Sequence, residues 1–354
     1  MKKNMIGVIG DMHMKDDLSY ADNISDRRVS EKKSILDFIV ESFKDCDHVV
    51  FLGDNFNSRN NSSETNREFV EFLERFNDKH LYIISGNHEK KGNGKTAIDF
   101  LGEIKKSNWH IFTKPGTVTL GIKNPSVGVS TAKKENLKLD FLPYMLNQEL
   151  EVENTEEAVK KIIKNLEGGD ILFAHHAISG TVFNGILTDT LKEIVLPEYD
   201  LKDEYKLIVA GHIHVPCQYG KILITGNVFT TEVGDKEKFI YKINTDLEIE
   251  KIKVPARPIG KIENPTEEQL SSIPNNAIVK VILTDKKVNL ETLKEQLSRF
   301  DASLIIEDYP NERVKAHIEE GAFDFSIEAV LKLYAEQKKI DHEKLLKGLQ
   351  LING

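Results

Sequence analysis

The chain has 354 residues, 40% of them hydrophobic, which is enough for one large domain with a smaller one beside it. A net charge of −9 excludes a generic polyanion binder, whose affinity would come from an excess of Lys and Arg, and leaves room for a local basic groove or for a site in which bound cations supply the positive charge. No stretch is long or apolar enough to span a bilayer, and the apolar run before Asp11 is too short for a signal peptide. Cys46 and Cys217 also lack the spacing of a zinc or disulfide framework, so a cytoplasmic protein with reduced thiols is expected.

In chain order, the alternation of apolar runs and amphipathic stretches predicts a strand from Met5 to Ile9, then a helix from Ser30 to Phe43 with Ile35, Phe38, Ile39 and Phe43 on one face. A strand from His48 to Leu52 comes next, then a helix from Asn66 to Phe76 striped by Phe69, Phe72, Leu73 and Phe76, then a strand from Leu81 to Ile84. This βαβαβ rhythm points to an α/β core. Short, turn-bounded runs between 108 and 145 suggest a meander of strands. A helix from Thr155 to Leu166 is followed by strands from Asp170 to Ala174, Lys206 to Ala210, Lys221 to Thr225, Lys238 to Ile243 and Glu248 to Val254. Pro255 to Gly260 and Asn264-Pro265 read as a linker. Beyond it, a strand from Ala277 to Leu283, a helix from Leu290 to Phe300 and a strand from Ser303 to Glu307 form a small α/β unit, and Ser326 to Ile352 has helical spacing. Domains are therefore expected at 1–255, 256–322 and 323–354.

Polar residues recur where the strands stop. Gly10-Asp11-Met12-His13 follows Val8-Ile9, Gly53-Asp54-Asn55 follows Phe51-Leu52, and Gly86-Asn87-His88-Glu89 follows Ile83-Ile84. His175-His176 follows Phe173-Ala174, and Gly211-His212-Ile213-His214 follows Val209-Ala210. Any one of these alone reads as a turn or a surface histidine. Five together, each at the end of an apolar strand, point to a site, because ligands of α/β sheets gather outside the carboxyl ends of the strands. If these strands share a sheet edge, the groups meet in one crevice. Two carboxylates, an amide oxygen and several imidazoles suit Mn, Fe(II) or Zn. They are too many for one tetrahedral ion, and thiolate is absent. Two ions about 3.5–4 Å apart need a carboxylate between them, and Asp54 is the natural bridge. The D-x-H and H-x-H spacings put both side chains of a pair on one side of an extended segment, and Gly86 is expected to let the backbone turn sharply.

The series GDMH, GDN, GNHE, HH and GHIH resembles the calcineurin-like metallophosphoesterase superfamily, whose pattern is D-x-H, G-D, G-N-H-[DE], H and G-H-x-H, in the same order over 1–215. The resemblance implies an α/β, four-layer sandwich of two β-sheets flanked by helices. It also implies two divalent metal ions as cofactors, Mn first, with Mg, Fe(II) or Zn as substitutes. One ion would be held by Asp11, His13, Asp54 and His214, the other by Asp54, Asn87, His175 and His212. His88 would then be catalytic, protonating the leaving oxygen of a phosphodiester. Glu89 is read as orienting His88 or a ligand histidine, and His176 as a neighbour that orients a ligand or touches phosphate. GDNFNSRN lacks the Asp-Arg-Gly extension of the serine/threonine phosphatases. ARPIGKIE, leading into a small α/β unit and a helical tail, resembles SbcD-type nuclease subunits of DNA repair and recombination, which carry a capping domain and pair with an SbcC-type coiled-coil ATPase. That implies DNA as substrate, 3′-to-5′ exonuclease and endonuclease action, and a homodimer built on one of the first two helices. The tail would either pack into the capping domain or dock the ATPase, and no membrane would be involved.

Two other functions fit the same residues. One is a phosphatase or cyclic-nucleotide phosphodiesterase with small substrates. The other is a scaffold that only recruits partners, against which the complete ligand set argues. Gly92-Asn93-Gly94-Lys95-Thr96 imitates a phosphate-binding P-loop, but Glu89 stands where that motif requires its first glycine, so a solvated loop is expected. Lys90 and Lys91 are expected to be solvated or near enough to hold a DNA backbone.

Overall fold

Strands that are apolar on both faces need cover on both sides, and the chain supplies it in four layers. The computed structural model describes residues 4–16, 18, 28–92, 94–121, 136–183, 186–188, 193–230, 237–300 and 302–308. In the first sheet Ile6–Ile9, His48–Phe51, His80–Ile84 and Trp109–Phe112 run parallel in that order, and Phe239–Ile243 and Ile249–Lys253 extend it antiparallel beside Ile6–Ile9. The second sheet has the order Cys217–Tyr219, Ile222–Ile224, Tyr205–Ala210, Gly169–Ala174, Asn136–Leu142, Gly116–Gly121, with the middle four strands parallel.

The sheets face each other across one apolar core. Val8, Val50, Tyr82 and Ile84 of the first sheet meet Phe141, Ile171, Phe173 and Val209 of the second. The outer face of the first sheet is covered by the helices Val29–Ser42 and Ser63–Glu74, through Ile35, Ile39, Phe69, Phe72 and Leu73. The outer face of the second is covered by Thr155–Asn165, through Ala158 and Ile162. The two stripes read from the sequence are therefore used up inside the molecule.

One packing feature bears directly on function. Phe51 and Phe56 flank Gly53-Asp54-Asn55, and both rings are fully buried. Phe51 stands edge-on to Phe69, Phe72 and Phe76, with centroids 6.0, 6.1 and 6.3 Å apart, and Phe56 lies 4.9 Å from Phe69. Such pairs contribute about 0.5–1.5 kcal/mol each beyond area burial. Both ends of the segment carrying Asp54 are thus anchored in the core.

The structure departs from the sequence reading in three places. The region 108–145 is not a meander: Trp109–Phe112 closes the first sheet, and after Thr113-Lys114-Pro115 the chain crosses to the second sheet, where Gly116–Gly121 pairs antiparallel with Asn136–Leu142. The first helix, expected from Ser30, starts one residue earlier and without a side-chain cap. It begins at Val29 after Arg28 in the left-handed region, and Arg28 is buried, donating to both Glu31 oxygens and to the carbonyls of Leu18 and Thr230. Finally, part of the expected linker is a strand: Ile259–Glu263 runs parallel to Ile278–Leu283, which runs parallel to Ala302–Glu307. With the helices Glu267–Ser271 and Leu290–Leu297 these strands enclose a separate core of Leu270, Val279, Val281, Leu283, Leu293, Leu297 and Phe300. The tail helix and the remainder of the expected 256–322 domain lie outside the described residues. No helix among the described residues is long and apolar enough to cross a membrane.

Candidate metal centre

The five polar strand ends meet, but from two sheets rather than one. Asp11, His13, Asp54, Asn87 and His88 come from the first sheet, and His175, His212 and His214 from the second. In register, Ile9 stands beside Phe51 and Phe51 beside Ile83, while Ala174 stands beside Ala210, so each sheet brings its carboxyl ends out at one level. Backbone bonds then fasten the ends together. The amides of Met12 and His13 donate to the Asp54 carbonyl at 3.1 and 2.8 Å, and Val228 donates to the Asp11 carbonyl at 2.8 Å. Across the sheets, the amide of His212 donates to both Asp11 oxygens at 3.1 and 3.0 Å.

The pairs Asp11/His13 and His212/His214 do not converge by strand alternation. His13, Asp54 and His212 have φ values of 46°, 45° and 75°, all in the left-handed region that non-glycine residues avoid. Three ligand candidates in such conformations store strain where side chains must point inward together. The glycines serve close approach. A Cβ on Gly86 would lie 2.1 Å from Asp54 Oδ1, one on Gly211 2.5 Å from Asp11 Oδ1, and one on Gly53 2.4 Å from His175 Nδ1. Gly86, expected to permit a sharp turn, instead gives the Asp54 carboxylate its space.

Two clusters result, and they share Asp54. In one, His13 Nε2 and His214 Nε2 are 3.0 Å apart, His214 Nε2 is 3.7 Å from Asp11 Oδ2, and His13 Nε2 is 3.8 Å from Asp54 Oδ2. In the other, Asn87 Oδ1 stands 3.1 Å from His175 Nε2 and 3.0 Å from His212 Nδ1, and His175 Nε2 is 3.4 Å from Asp54 Oδ2. Asp54 Oδ1 is turned away and accepts the backbone N–H of His88 at 2.8 Å. Asp11/His13/His214 and Asp54/His175/His212 each bring their donor atoms within 4.8 Å of one another, and His88 joins His13 and Asp54 within the same limit.

The donor chemistry fits metal. His175 Nδ1 lies 2.6 Å from the Leu52 carbonyl and so carries the ring proton, which leaves the Nε2 lone pair facing two oxygens. His212 Nε2 lies 2.9 Å from Glu193 Oε1, which likewise leaves the Nδ1 lone pair facing Asn87 Oδ1. A divalent cation among these lone pairs and oxygens would satisfy all of them at once. Two ligands at right angles on bonds of about 2.1 Å stand about 3.0 Å apart, which is the spacing found here. The electrostatics agree. Burial opposes a proton on His175, but Asp54 and Asp11 outweigh it and push the imidazole up to about 9, the same pull that would hold a cation. Burial pushes His13 down to about 3, keeping it neutral as a ligand must be. Burial also works against the charge on Asp54, yet His175, His13 and His88 hold its carboxyl below the usual range. Burial raises Asp11, with Asp54 adding to the effect.

Residues 5–216 match the calcineurin-like phosphoesterase family. The chain belongs to this family. A search of the curated proteins finds no match to it. The family binds divalent metals and hydrolyses phosphoesters, and in this phosphoesterase the buried Asp and His clusters are where such ions could be held.

Three neighbours act differently from expectation. Glu89, fully buried, does not orient an imidazole. Its oxygens accept the backbone N–H groups of Gly86 at 2.7 Å and Phe56 at 3.2 Å, tying together the two loops that carry Asn87 and Asp54. Burial, with Asp54 adding, pushes its carboxyl up to about 7. His176 is fully buried and so out of reach of a substrate phosphate. It stacks on Tyr144 with centroids 4.9 Å apart and accepts the Met145 N–H at 3.1 Å, and burial pushes it down to about 3. Lys90, expected in solvent or on DNA, is buried and paired with Glu149 at 2.9 Å.

Glu193 and Tyr144 were not singled out in the sequence. Glu193 Oε1 fixes the tautomer of His212, and Oε2 lies 3.4 Å from the Tyr144 hydroxyl. A lone carboxylate ahead of Ile194-Val195-Leu196 is the only signal for it, and that signal is weak. Replacing Glu193 with Ala is expected to weaken binding of a divalent ion about 10–100-fold, measured by calorimetric titration with Mn2+. Unchanged affinity would show that His212 needs no such support.

Proposed function

We propose that this phosphoesterase is a Mn-dependent phosphodiesterase that cleaves DNA. In this reading it is the exonuclease and endonuclease subunit of a recombination and repair complex, acting as a homodimer with an SbcC-type ATPase. Asp11, His13, Asp54 and His214 would hold one ion, and Asp54, Asn87, His175 and His212 the other. Bound there, the two ions would supply Lewis-acid charge to the nonbridging phosphoryl oxygens and acidify a water for in-line attack.

The observation that carries the reading is the placement of His88. It is exposed, and its ring stands edge-on to His13 with centroids 4.7 Å apart. Its Nδ1 donates to the Asn57 carbonyl at 2.9 Å, which leaves Nε2 for a substrate. A sugar oxygen is a poor leaving group and needs a proton as it departs, and Nε2 of a protonated His88 supplies it. The Asn57 carbonyl holds the other ring nitrogen and so orients Nε2. Asp54 Oδ1 fixes the His88 backbone, so the acid and the shared carboxylate move as one unit. The unit beyond the catalytic core, with its own three-stranded sheet, is placed in sequence where SbcD-type subunits carry their capping domain.

Digestion of end-labelled single- and double-stranded DNA with Mn2+, with and without the partner ATPase, tests the reading. Shortening or nicking of the DNA is expected. Intact DNA together with rapid turnover of 2′,3′-cAMP would replace it with a small-substrate phosphodiesterase.

A further inference from the structure

We propose that a polar pocket beside His88 binds the unpaired nucleotide next to the scissile phosphate of a nucleic-acid strand. For its substrate this rests on the nuclease reading above, but the pocket stands on its own geometry. It lies between the segment that follows Asn57 and the hairpin of Lys90–Gly92 with Lys95–Thr96, and it has a volume of about 530 Å³. Both walls lead from the catalytic group. Asn57 holds His88 Nδ1, and Arg59 is two residues further on, within about 7 Å along the chain. On the other side, Lys91 is three residues past His88.

The lining has three kinds of group, one for each part of a nucleotide. Arg59, Lys91 and Lys95 are exposed cations, and among the described residues none is in an ion pair. This contrasts with Lys90, Arg67 and Lys32 nearby, all of which are paired with Glu. The one carboxylate in the lining, Asp99, is held by the N–H and hydroxyl of Thr96 at 2.9 and 2.8 Å and offsets a single positive charge, so the cations remain in excess. These cations suit a phosphate. Asn60, Asn61 and Asn66 add side-chain amides to the lining, groups that pair with the edge of a base. An unpaired base offers such an edge and a ring to lie against half-buried Phe100. The volume is in the range of small-molecule sites and far exceeds a lone phosphate. A base within a duplex is stacked on both faces and cannot lie against Phe100, so the pocket selects a frayed or single strand. The glycine-rich stretch that imitates a P-loop therefore contributes its lysine to a nucleotide site of another kind.

The test is the triple variant Arg59→Gln, Lys91→Gln, Lys95→Gln, all on exposed side chains. The first measurement is fluorescence anisotropy of a labelled 12-nucleotide strand with phosphorothioate linkages, titrated across salt. Affinity is expected to fall at least about tenfold, and the log–log salt slope to drop by about 2, near 0.7 for each cation removed. The second is the ratio of kcat/KM for an oligonucleotide to that for bis-p-nitrophenyl phosphate, expected to fall at least tenfold. Unchanged affinity and slope would overturn the pocket while leaving the nuclease reading intact, as would an unchanged ratio. If the wild type cleaves no DNA but the variant still loses strand affinity and slope, the pocket stands and the nuclease reading falls.

Discussion

Replacing Asp54 with Asn is expected to abolish hydrolysis and to leave the protein unable to hold two divalent ions. Asp54 Oδ2 stands 3.4 Å from His175 Nε2 and 3.8 Å from His13 Nε2, and so belongs to both clusters. The side chain is almost fully buried, where the charge of a carboxylate is screened little, and that charge is what offsets two cations held close together. Asn keeps the shape, and its oxygen can still accept from the His88 amide, so the loop need not move. The predicted loss is therefore electrostatic, at least about 10³-fold in kcat/KM on any phosphodiester. Calorimetric titration with Mn2+ should show two ions on the wild type and one or none on the variant. Thermal unfolding gives an independent readout, since an ion at a hundred times its Kd stabilises the folded state by about 2.7 kcal/mol per site. A variant that still takes up two ions with the wild-type stabilisation would remove Asp54 from its bridging place.

Much of this site was legible because each motif starts where an apolar strand stops, and both signals are local. Leu81 to Ile84 followed by Gly86-Asn87-His88 needs no tertiary information to be noticed. The helix stripes were legible for the same reason, and Phe69, Phe72, Leu73 and Phe76 are all buried as their spacing requires. What stayed hidden is non-local. That the ends come from two facing sheets follows from the crossover after Phe112, which the short runs there do not announce. The left-handed backbone at His13, Asp54 and His212 is imposed by tertiary bonds such as those from Met12 and His13 to the Asp54 carbonyl, against local preference. Glu193 reaches His212 from a segment without a motif. Adjacency in sequence suggests an imidazole partner for Glu89, whereas its buried carboxylate takes backbone amides of two loops. The cations of the nucleotide pocket were visible one at a time, but that Arg59, Lys91 and Lys95 share one cavity depends on the hairpin.

His88→Ala is expected to damage reactions in proportion to how badly their leaving group needs a proton. On DNA, where a sugar oxygen departs, general-acid assistance is worth about 10²–10⁴-fold, and cleavage should fall by that amount. On bis-p-nitrophenyl phosphate the nitrophenolate leaves unaided, and the loss should stay below about tenfold. A ligand role predicts otherwise. A ring nitrogen of His88 lies within 4.8 Å of donor atoms of His13 and Asp54, so the geometry alone would also allow it to hold an ion. Removing a ligand would lower both reactions together and reduce the number of bound ions. The Asn57 carbonyl separates the two roles further: with Nδ1 committed at 2.9 Å, one nitrogen remains, and it cannot both hold an ion and deliver a proton. Comparing the two substrates on the same preparation, with Mn2+ counted by titration, therefore decides the matter. Unequal losses with both ions retained identify an acid. Equal losses, or one ion missing, would make His88 a ligand, and the proton for the departing sugar would then have to come from another group.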